Sequence, residues 1–464
     1  MASSLHPKEK SLGKVLRDAL QHSDFSNREF LPHDAFNDIK KEWDVPQELA
    51  SRKIDDKDGV LTKFISEKSP KTFAILIRAR LGTHAARLAE YGFTDRYLPV
   101  QYEHGKITSR SGIPADDPAL RWFLTWEEKN NPDADVETNI NEFCRHQWEF
   151  LAPIFAAGAV IEELHDDHVL PLFEYVQRGG GGFSTLYQAR IHKAHRGDLI
   201  KVNLAIKELL ESESGSENAF DGEVNALDLA RSLNHRHIVN FLAAFKWRTK
   251  RYMMFQWVDG GNLREFWNNN SRGDEVTIGH TIKWALTELH GLAEALDKWH
   301  NYFKDSPRNC RHGDLKPENI IRAKEDGSLG CLQIADLGLA KIHSLATDNR
   351  RTLSIPKSTF RYEAPERWTS ITTPISRSYD MWSLGCVILE FIIWLLYGVE
   401  ELQGFNRLIE RGFFEINDDH TITHHPKVRQ WSKHMEEKTL GEKQGKCYSG
   451  ALRDLLDMVV KRLL

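Results

Sequence analysis

Residues 311–319, R-H-G-D-L-K-P-E-N, place a carboxylate, an ammonium and an amide within a short stretch of the chain. Asp314 can accept the proton of a hydroxyl, Lys316 can stabilise negative charge, and Asn319 can offer a neutral oxygen to a metal ion. A polar turn before a strand at residues 320–321 accounts for any one of these residues, but poorly for all three types in this order. The stretch therefore indicates phosphoryl transfer to a hydroxyl, a reaction that needs all three groups.

A second metal ligand should accompany Asn319, because one amide cannot hold Mg²⁺. The run C-L-Q-I-A-D-L-G, residues 331–338, has the composition of a strand that ends at Asp336, and Gly338 permits a sharp turn after it. We therefore predict Asn319 and Asp336 as the metal ligands.

A glycine-rich segment lies upstream, R-G-G-G-G-F-S-T-L-Y at residues 178–187. Glycines let backbone amides approach phosphate oxygens without a Cβ in the way. Alone, such a segment is more often a flexible hairpin. However, Lys207 ends the apolar strand L-A-I-K shortly afterwards, where it could reach phosphates that the loop covers. Glu223, early on the next predicted helix, could pair with Lys207.

The elements that must position these motifs change along the chain. Up to about residue 160 the apolar residues recur at helical spacing. Short strands separated by polar turns follow from about 170 to 258, and an apolar helical stripe over residues 286–299 marks the part after residue 262. The predicted fold class is α+β, with a strand-rich lobe, a helix-rich lobe and a cleft between them, preceded by a mainly α-helical N-terminal region. Residues 112–138, rich in Pro, Asp and Asn, are predicted to form a long loop.

Residues from about 170 to 464 resemble a eukaryotic-type protein kinase catalytic domain. Six motifs occur in the order of that family: the glycine-rich loop, the strand that ends at Lys207, the catalytic loop at 311–319, D-L-G beginning at Asp336, Y-E-A-P-E at 362–366 and D-M-W-S-L-G at 380–385. The Lys-Pro-Glu sequence of the catalytic loop resembles the Ser/Thr group rather than the Tyr group.

The resemblance implies a bilobal protein-kinase-like fold, with an N-lobe at about 170–258 and a C-lobe at about 262–464. It implies ATP as phosphoryl donor, Mg²⁺ as cofactor and a protein Ser or Thr hydroxyl as acceptor. It assigns catalysis to Asp314, Lys316 and Lys207, and metal binding to Asn319 and Asp336. Nucleotide binding falls to the loop, to the strand Lys and its partner, and to the hinge that follows Phe255: Gly179, Gly181, Gly182, Ser184, Lys207, Glu223, Gln256 and Val258.

Gly313 is the largest departure from the family pattern, which usually has Arg at this position. That Arg commonly holds a phosphate on the activation segment. We therefore expect catalysis that depends little on phosphorylation of Thr352, Ser354 or Ser358, although Arg350 and Arg351 could substitute.

Four smaller departures accompany it. Ser184 replaces the usual third glycine, and Leu337 replaces the usual Phe. The spacing after Glu223 is stretched by about three residues, which weakens its assignment as the partner of Lys207. The sequence stops at Leu464 without the Asp-Pro turn and Arg that normally follow, which predicts a short C-terminus and a less stable C-lobe.

Two rival functions remain open. Small-molecule phosphotransferases of the aminoglycoside and choline kinase-like type also have the sequence His-Gly-Asp-Leu in their catalytic loop. They generally lack the segments that correspond to 362–366 and 380–385. A pseudokinase scaffold that binds nucleotide would explain Gly313, Leu337, Ser184 and the short C-terminus. The presence of Lys207, Asp314, Asn319 and Asp336 argues against the scaffold.

Residues 1–160 carry no catalytic pattern. Residues 147–153 resemble the leader region of many filamentous-fungal kinases. This region is either an accessory helical domain that docks on the strand-rich lobe or a recruitment module that binds a protein partner. The acidic sequence at 165–168, His-Asp-Asp-His, is more readily a solvated linker than a metal site.

Composition indicates which partners and which cellular compartment to expect. A net charge of -5 gives no electrostatic reason to expect nucleic acid or an anionic membrane as partner. Residues 1–10 lack the apolar core of a secretory signal, and the apolar run 386–399 is interrupted by Glu390, so we interpret it as a buried helix. Five scattered cysteines without a C-x-x-C pair indicate a reducing compartment, the cytoplasm, with the nucleus left open.

Overall fold

The computed structural model describes residues 11–110, 112–126, 136–156, 158–180, 184–197, 202–209, 224, 227–271, 275–302, 310–336, 360–369, 376–418, 421–441 and 448–464. The chain forms two compact units. The first comprises Met1–Gly179, Leu186–Ile206 and Phe245–Thr249, and the second comprises Gly180–Thr185, Lys207–Ala244 and Lys250–Leu464. The predicted boundary between an accessory region and a catalytic domain, at 160–170, stays a prediction.

The N-terminal part of the first unit is mainly helical, as predicted. Its helices are α1 (Leu12–Asp18), α2 (His33–Glu42), α3 (Val45–Ser51), α4 (Val60–Lys68), α5 (Pro70–Arg78), α6 (Leu88–Tyr91) and α7 (Val136–His146). Side chains fix several helix starts: Asp44 caps α3, and both oxygens of Asp95 accept from the first peptide N–H groups of α5, at Lys71 and Thr72. Two short antiparallel pairs, β1 (Gln21–Ser23) with β2 (Arg28–Phe30) and β3 (Val100–Glu103) with β4 (Lys106–Ser109), were not predicted.

The predicted long loop at 112–138 is wrong over its middle part. Pro118–Trp126 form 3₁₀ turns, and Trp122, Phe123 and Trp126 are buried. Their rings pack against Phe93 and Phe143 with centroid separations of 4.8 to 6.0 Å. Burial of these large rings outweighs the turn-forming composition of the surrounding sequence.

Strands follow along the chain. They are β5 (Ala159–Leu164), β6 (Leu172–Gly180), β7 (Ser184–Ile191), β8 (Asn203–Leu209), β9 (Phe241–Trp247) and β10 (Lys250–Gln256), in a six-stranded sheet of order β5-β9-β10-β8-β7-β6. Five of the six correspond to predicted strands, and β5 was missed. Strand β8 alternates in burial: Leu204 and Ile206 are fully buried, and Lys207 lies on the opposite face because side chains alternate.

The second unit is mainly helical after β10. Its helices are α8 (Leu263–Asn269), α9 (Glu275–His300), α10 (Glu366–Thr369), α11 (Ser378–Tyr397), α12 (Val399–Leu408), α13 (Pro426–Gly441) and α14 (Tyr448–Met458). Two hairpins accompany them, β11 (Ile320–Ala323) with β12 (Cys331–Ile334) and β13 (Phe414–Ile416) with β14 (Ile422–His424). The strand-rich part followed by a helical part confirms the predicted α+β class.

Helix α11 is the central helix of this unit. It has the length and mean hydropathy, 1.6, of a helix that could cross a membrane, but 89% of its most apolar window is buried inside the protein. The sequence predicts a buried helix at residues 386–399, but α11 already begins at Ser378. Its first eight residues are more polar and lie outside the predicted apolar run. It is a core helix, and Asp380 and Glu390 are fully buried within it.

Candidate active site

The three chemical groups of the catalytic loop contact one another. Oδ2 of Asp314 accepts a hydrogen bond from Lys316 Nζ at 2.7 Å and from Asn319 Nδ2 at 3.0 Å. Asn319 Nδ2 also donates to the Asp314 carbonyl oxygen at 2.8 Å, which closes the loop on itself. The structure therefore brings together the acid, the cation and the amide that the sequence predicted as a set.

The buried carboxylate of Asp380 holds the backbone of this loop. Its Oδ2 accepts from the peptide N–H of His312 at 2.7 Å, and its Oδ1 accepts from that of Gly313 at 2.8 Å. His300 donates to Oδ2 at 2.8 Å. Burial raises the pKa of Asp380, but the hydrogen bond from His300 and the neighbouring imidazoles lower it below its ordinary value, so the carboxylate stays ionised.

Gly313 adopts a backbone φ of +80°, in the left-handed region that glycine enters without strain. The bond from its peptide N–H to Asp380 fixes this turn immediately before Asp314. Its role in the described structure is therefore conformational.

His312 joins the catalytic loop to the second carboxylate. Its Nε2 donates to the Ala335 carbonyl oxygen at 2.9 Å, and its Nδ1 accepts from the Asp314 peptide N–H at 3.2 Å. The Ala335 peptide N–H in turn donates to the Asn319 carbonyl oxygen at 2.8 Å. Each side of Ala335 is thus bonded to the loop, which places the next residue, Asp336, beside it.

The hairpin of β11 and β12 explains why these distant segments meet. Ile320 pairs with Ile334 in antiparallel register, so Asn319, one residue before β11, and Ala335, one residue after β12, lie at the same end of the hairpin. Asp336 then takes a φ of +60°, outside the extended range of a strand. A non-glycine residue in that region is uncommon and often marks a functional position.

Asp336 pairs with the predicted strand lysine. Lys207 Nζ lies 2.7 Å from Asp336 Oδ1. Burial raises the pKa of Asp336, but the charge of Lys207, with smaller effects of His312 and Lys316, lowers it below its ordinary range. The four residues Lys207, Asp314, Asn319 and Asp336, predicted from separate motifs, therefore belong to one connected cluster.

The donor set of this cluster suits a hard cation. Among the described residues, both hydrogen bonds of the Asn319 side chain use Nδ2, which leaves its amide oxygen available, and Lys207 engages Oδ1 of Asp336. An amide oxygen and a carboxylate from neighbouring segments are ligands that Mg²⁺ accepts, with water and phosphate oxygens completing the shell.

The predicted nucleotide-binding residues are placed only in part. Gly179 lies near the end of β6 and Ser184 begins β7, whereas Gly181, Gly182 and Glu223 lie outside the described residues. Gln256 ends β10 and its peptide N–H donates to the Asn240 carbonyl oxygen at 3.2 Å, and Val258 is only partly buried. The pairing of Glu223 with Lys207 stays a prediction.

The turn after the hinge is docked on β11. The Gly260 peptide N–H donates to the Arg322 carbonyl oxygen at 2.9 Å, and the Arg322 peptide N–H donates to the Gly261 carbonyl oxygen at 2.8 Å. A Cβ on Gly260 would lie 2.2 Å from the Arg322 oxygen, so this close approach requires glycine. Asn262 then begins α8 with a capping box shared with Glu265.

Sequence reasoning missed an ion network behind the catalytic loop. Arg264 of α8 lies 3.1 Å from Glu318 through Nε and 3.1 Å from Glu390 through Nη2, and Nη2 also contacts the Tyr362 hydroxyl. That hydroxyl donates to Glu390 Oε2 at 2.9 Å. One guanidinium thus links α8, the catalytic loop, the Y-E-A-P-E segment and α11. A charged residue in the middle of the apolar run of α11 was the available signal, because a buried carboxylate needs a partner.

A second buried cluster has metal-ligand residue types. Donor atoms of His237, Glu288 and Cys331 lie within 4.8 Å of one another. His237 Nδ1 donates to the Leu332 carbonyl oxygen at 2.8 Å, and Glu288 Oε2 accepts from the Leu332 peptide N–H at 2.7 Å. Because these bonds satisfy the peptide groups of Leu332 on both sides, the cluster is explained as an anchor for β12 without an ion.

The acidic sequence at 165–168 does not form such a cluster in the described part of the chain. His165 stacks on Trp148 at 4.4 Å, and Arg28 Nη1 binds both the carbonyl oxygen and the carboxylate of Asp167 at 3.0 Å. The segment is therefore held at His165 and Asp167, whereas the side chains of Asp166 and Asp167 are exposed, as the linker prediction expects.

Comparison with known proteins decides the family. The model of the protein kinase domain family matches residues 174–460, more than half of the 464 residues. The chain belongs to the protein kinase family. The match spans all six kinase motifs of the sequence analysis, from the glycine-rich segment to α11, and the kinase domain is of the eukaryotic type.

Curated relatives of this kinase domain are serine/threonine and cyclin-dependent-kinase-like proteins. The probable LRR receptor-like serine/threonine-protein kinase RPK1 of Arabidopsis thaliana is 27% identical over 216 residues, which are 46% of this chain and 35% of the relative. Cyclin-dependent kinase-like 5 of Homo sapiens is 26% identical over 212 residues, 46% of this chain and 19% of the relative. Cyclin-dependent kinase-like 4 of Mus musculus is 27% identical over 214 residues, 46% of this chain and 54% of the relative. The chain therefore matches well under two thirds of the length of these proteins.

Proposed function

We propose that this chain is an ATP-dependent protein kinase that transfers the γ-phosphoryl group to Ser or Thr hydroxyls of protein substrates. The observation that carries the proposal is the connected cluster of Lys207, Asp314, Lys316, Asn319 and Asp336. Lys207 contacts Asp336 at 2.7 Å, and Lys316 contacts Asp314 at 2.7 Å. These are the groups that phosphoryl transfer from a metal-bound nucleotide requires.

The chain's own residues take distinct parts in the reaction. Asp314 accepts the hydroxyl proton and orients the acceptor oxygen towards the phosphorus. Lys316, whose Nζ donates to Asp314 Oδ2, would stabilise the charge of the migrating phosphoryl group. Asn319 and Asp336 would hold Mg²⁺, which supplies charge neutralisation at the phosphate oxygens. Lys207 positions the phosphates, and the backbone of Gln256 and Val258 receives the adenine.

A protein acceptor is favoured over a small alcohol by the Y-E-A-P-E and D-M-W-S-L-G segments. The Ser383 hydroxyl donates to the Tyr362 carbonyl oxygen at 2.8 Å, so the described residues of the two segments are built as one support. The relatives' names include serine/threonine-protein kinases. Together these observations support Ser and Thr as acceptors.

Gly313 supports a further part of the proposal, weak dependence on activation-segment phosphorylation. Gly313 offers no guanidinium to a phosphate on that segment, which lies outside the described residues. Equal turnover before and after phosphatase treatment is the expected result, and complete loss would contradict it.

The test uses purified protein, Mg-ATP and three kinds of acceptor: casein, a basic protein and a panel of small alcohols. The proposal predicts phosphoserine or phosphothreonine on protein and no phosphorylated alcohol. Phosphorylated alcohols alone would favour a small-molecule phosphotransferase. ATP binding without turnover in the wild type would favour a nucleotide-binding scaffold.

A further inference from the structure

Strand β6, which leads into the glycine-rich hairpin, lies at one end of the six-stranded sheet. Residues 23–26, at the end of β1 and in the turn to β2, bind the start of β6 and the residues just before it. Ser23 Oγ donates to the Leu170 carbonyl oxygen at 2.5 Å, and Ser26 Oγ accepts from the Leu170 peptide N–H at 2.9 Å. The Asp24 peptide N–H donates to the Leu172 carbonyl oxygen at 3.0 Å. The turn therefore occupies backbone groups that an edge strand would otherwise leave open.

Asp24 also holds a strained residue of β6. The carboxylate Oδ2 of Asp24 accepts from the Glu174 peptide N–H at 2.6 Å. Glu174 has a backbone φ of +51°, an uncommon conformation for a residue with a side chain, and here it lies inside a strand. Such a conformation persists only when surrounding contacts impose it, and the bond to Asp24 supplies that contact.

Other contacts keep the turn and the strand together within the same compact unit. The Phe25 ring meets Tyr175 edge-on at 4.6 Å, and Tyr175 stacks on Tyr187 of the neighbouring strand at 4.3 Å. Glu174 is paired across the hairpin with Arg190 at 2.5 Å. The strained residue is thus held from both sides, five positions before Gly179.

We propose that Asp24 is a positioning residue for strand β6: by fixing the bend at Glu174, it holds in place the strand that leads to the glycine-rich segment. The inference rests on the proposed function for its consequence, because a strand that is already ordered loses less conformational freedom when ATP binds. It gives part of the N-terminal region a role inside the catalytic domain.

The test compares Asp24→Ala with wild type in the full-length protein. Relaxation of the bend is expected to raise KM for ATP by about threefold to tenfold, with kcat at saturating ATP within about twofold. Amide hydrogen exchange of peptides covering residues 172–180 should be faster. Asp38→Ala is the matched control, because Asp38 is an exposed acid of the same region that pairs with Lys41.

Glycine at position 174 provides the rescue. Since glycine adopts positive φ without strain, Asp24→Ala combined with Glu174→Gly should restore KM for ATP to near the wild-type value. Asp24→Ala combined with Glu174→Ala is the control. Alanine removes the pair with Arg190 as glycine does, but it keeps the backbone strain, so KM for ATP should stay raised. A purely structural role for Asp24 would lower thermal stability without moving KM for ATP.

Wild-type KM and wild-type exchange in Asp24→Ala would overturn the inference, and so would failure of Glu174→Gly to rescue. Absence of ATP binding in the wild type would overturn the proposed function and the nucleotide part of this inference together. The exchange measurement needs no ATP, and it would then still decide whether Asp24 holds the bend.

Discussion

Gly313 shows how one residue can alter a catalytic loop without removing a reacting group. At φ +80°, an alanine would be forced into the left-handed region, and we expect Gly313→Ala to lower the free energy of unfolding by about 1–2 kcal/mol. Urea unfolding measures this directly. Gly279→Ala, inside α9, is the comparison: a Cβ there meets nothing within 4 Å and its φ is ordinary, so alanine should keep or raise the stability, by up to about 1 kcal/mol. Equal stability of wild type and Gly313→Ala would contradict the backbone account.

His195 makes the stability of the first unit depend on pH. Its Nδ1 donates to the Pro153 carbonyl oxygen at 3.0 Å, and its Nε2 accepts from the His33 peptide N–H at 3.1 Å, so the neutral ring is required. Burial lowers the pKa of His195 to about 4. Because the folded pKa lies below the ordinary value near 6.5, this stabilisation is present above pH 6.5 and is lost as the pH falls towards 4.

We expect that loss to reach about 3 kcal/mol for His195 alone. The measurement is the free energy of unfolding between pH 7 and pH 4 for wild type and His195→Asn. The free energy of unfolding of the variant should depend less steeply on pH, by the equivalent of about one proton. Identical slopes in the two proteins would show that His195 does not titrate on unfolding.

At the scale of single residues, the sequence predicted the catalytic and metal-binding residues better than the residues that hold them in place. Asp314, Lys316, Asn319 and Asp336 were predicted because their types and short spacings are those of a reaction. The supports His300 and Arg264 were missed, since each acts on residues far away along the chain and neither has a local pattern. Only the hairpin register of β11 and β12, invisible in spacing alone, brings Asp336 to the loop.

At the scale of elements, Arg264 connects α8 and α11 to the catalytic loop. Burial raises the pKa of Glu390, and Arg264 opposes that rise. Removal of the guanidinium in Arg264→Met would leave Glu390 buried without its cationic partner, and we expect a loss of about 3–5 kcal/mol in stability. Thermal and urea unfolding would measure it, with the exposed Arg407→Met as control.

A second substitution separates the ion pair from the packing. Arg264→Met combined with Glu390→Gln removes the unpaired charge, so the double variant should be more stable than Arg264→Met alone. A double variant that loses the sum of both single effects would mean that the two residues do not interact.

The elements themselves were predicted unevenly. Strands β6 to β10 have alternating or continuous apolar runs bounded by turn residues, and this pattern was sufficient. Strand β5 was missed because it contains two consecutive glutamates, and the strands of the pairs β1–β2 and β3–β4 are only three or four residues long, too short for a periodic pattern. The segment 118–126 was misassigned because Pro and Asp around it indicate a loop, whereas its three buried aromatic residues decide the packing.

At the scale of the whole molecule, the N-terminal region is packed with the first strands and not merely tethered to them. Phe30 lies 5.9 Å from Phe173, and His195 beyond β7 binds backbone groups at residues 33 and 153. We expect a protein that lacks residues 1–160 to expose these apolar surfaces. It should bind a hydrophobic dye and unfold without a cooperative transition.

A cooperative, dye-free fragment with wild-type turnover would contradict this expectation and would favour an independent recruitment module. The sequence could not choose between these alternatives, because helical periodicity shows that a region folds but not what it packs against. The order and residues of the kinase motifs were predictable from one sequence, whereas the integration of the first strands with the N-terminal region was not.

The most direct test of the central claim is phosphoryl transfer from radiolabelled ATP to a protein acceptor in the presence of Mg²⁺, with wild type beside Asp314→Asn. The substitution keeps the shape of the loop and removes the proton acceptor. The account predicts phosphoserine or phosphothreonine with the wild type and a rate at least about 10²-fold lower with the variant. Equal rates in the two proteins, or no transfer by the wild type, would contradict it.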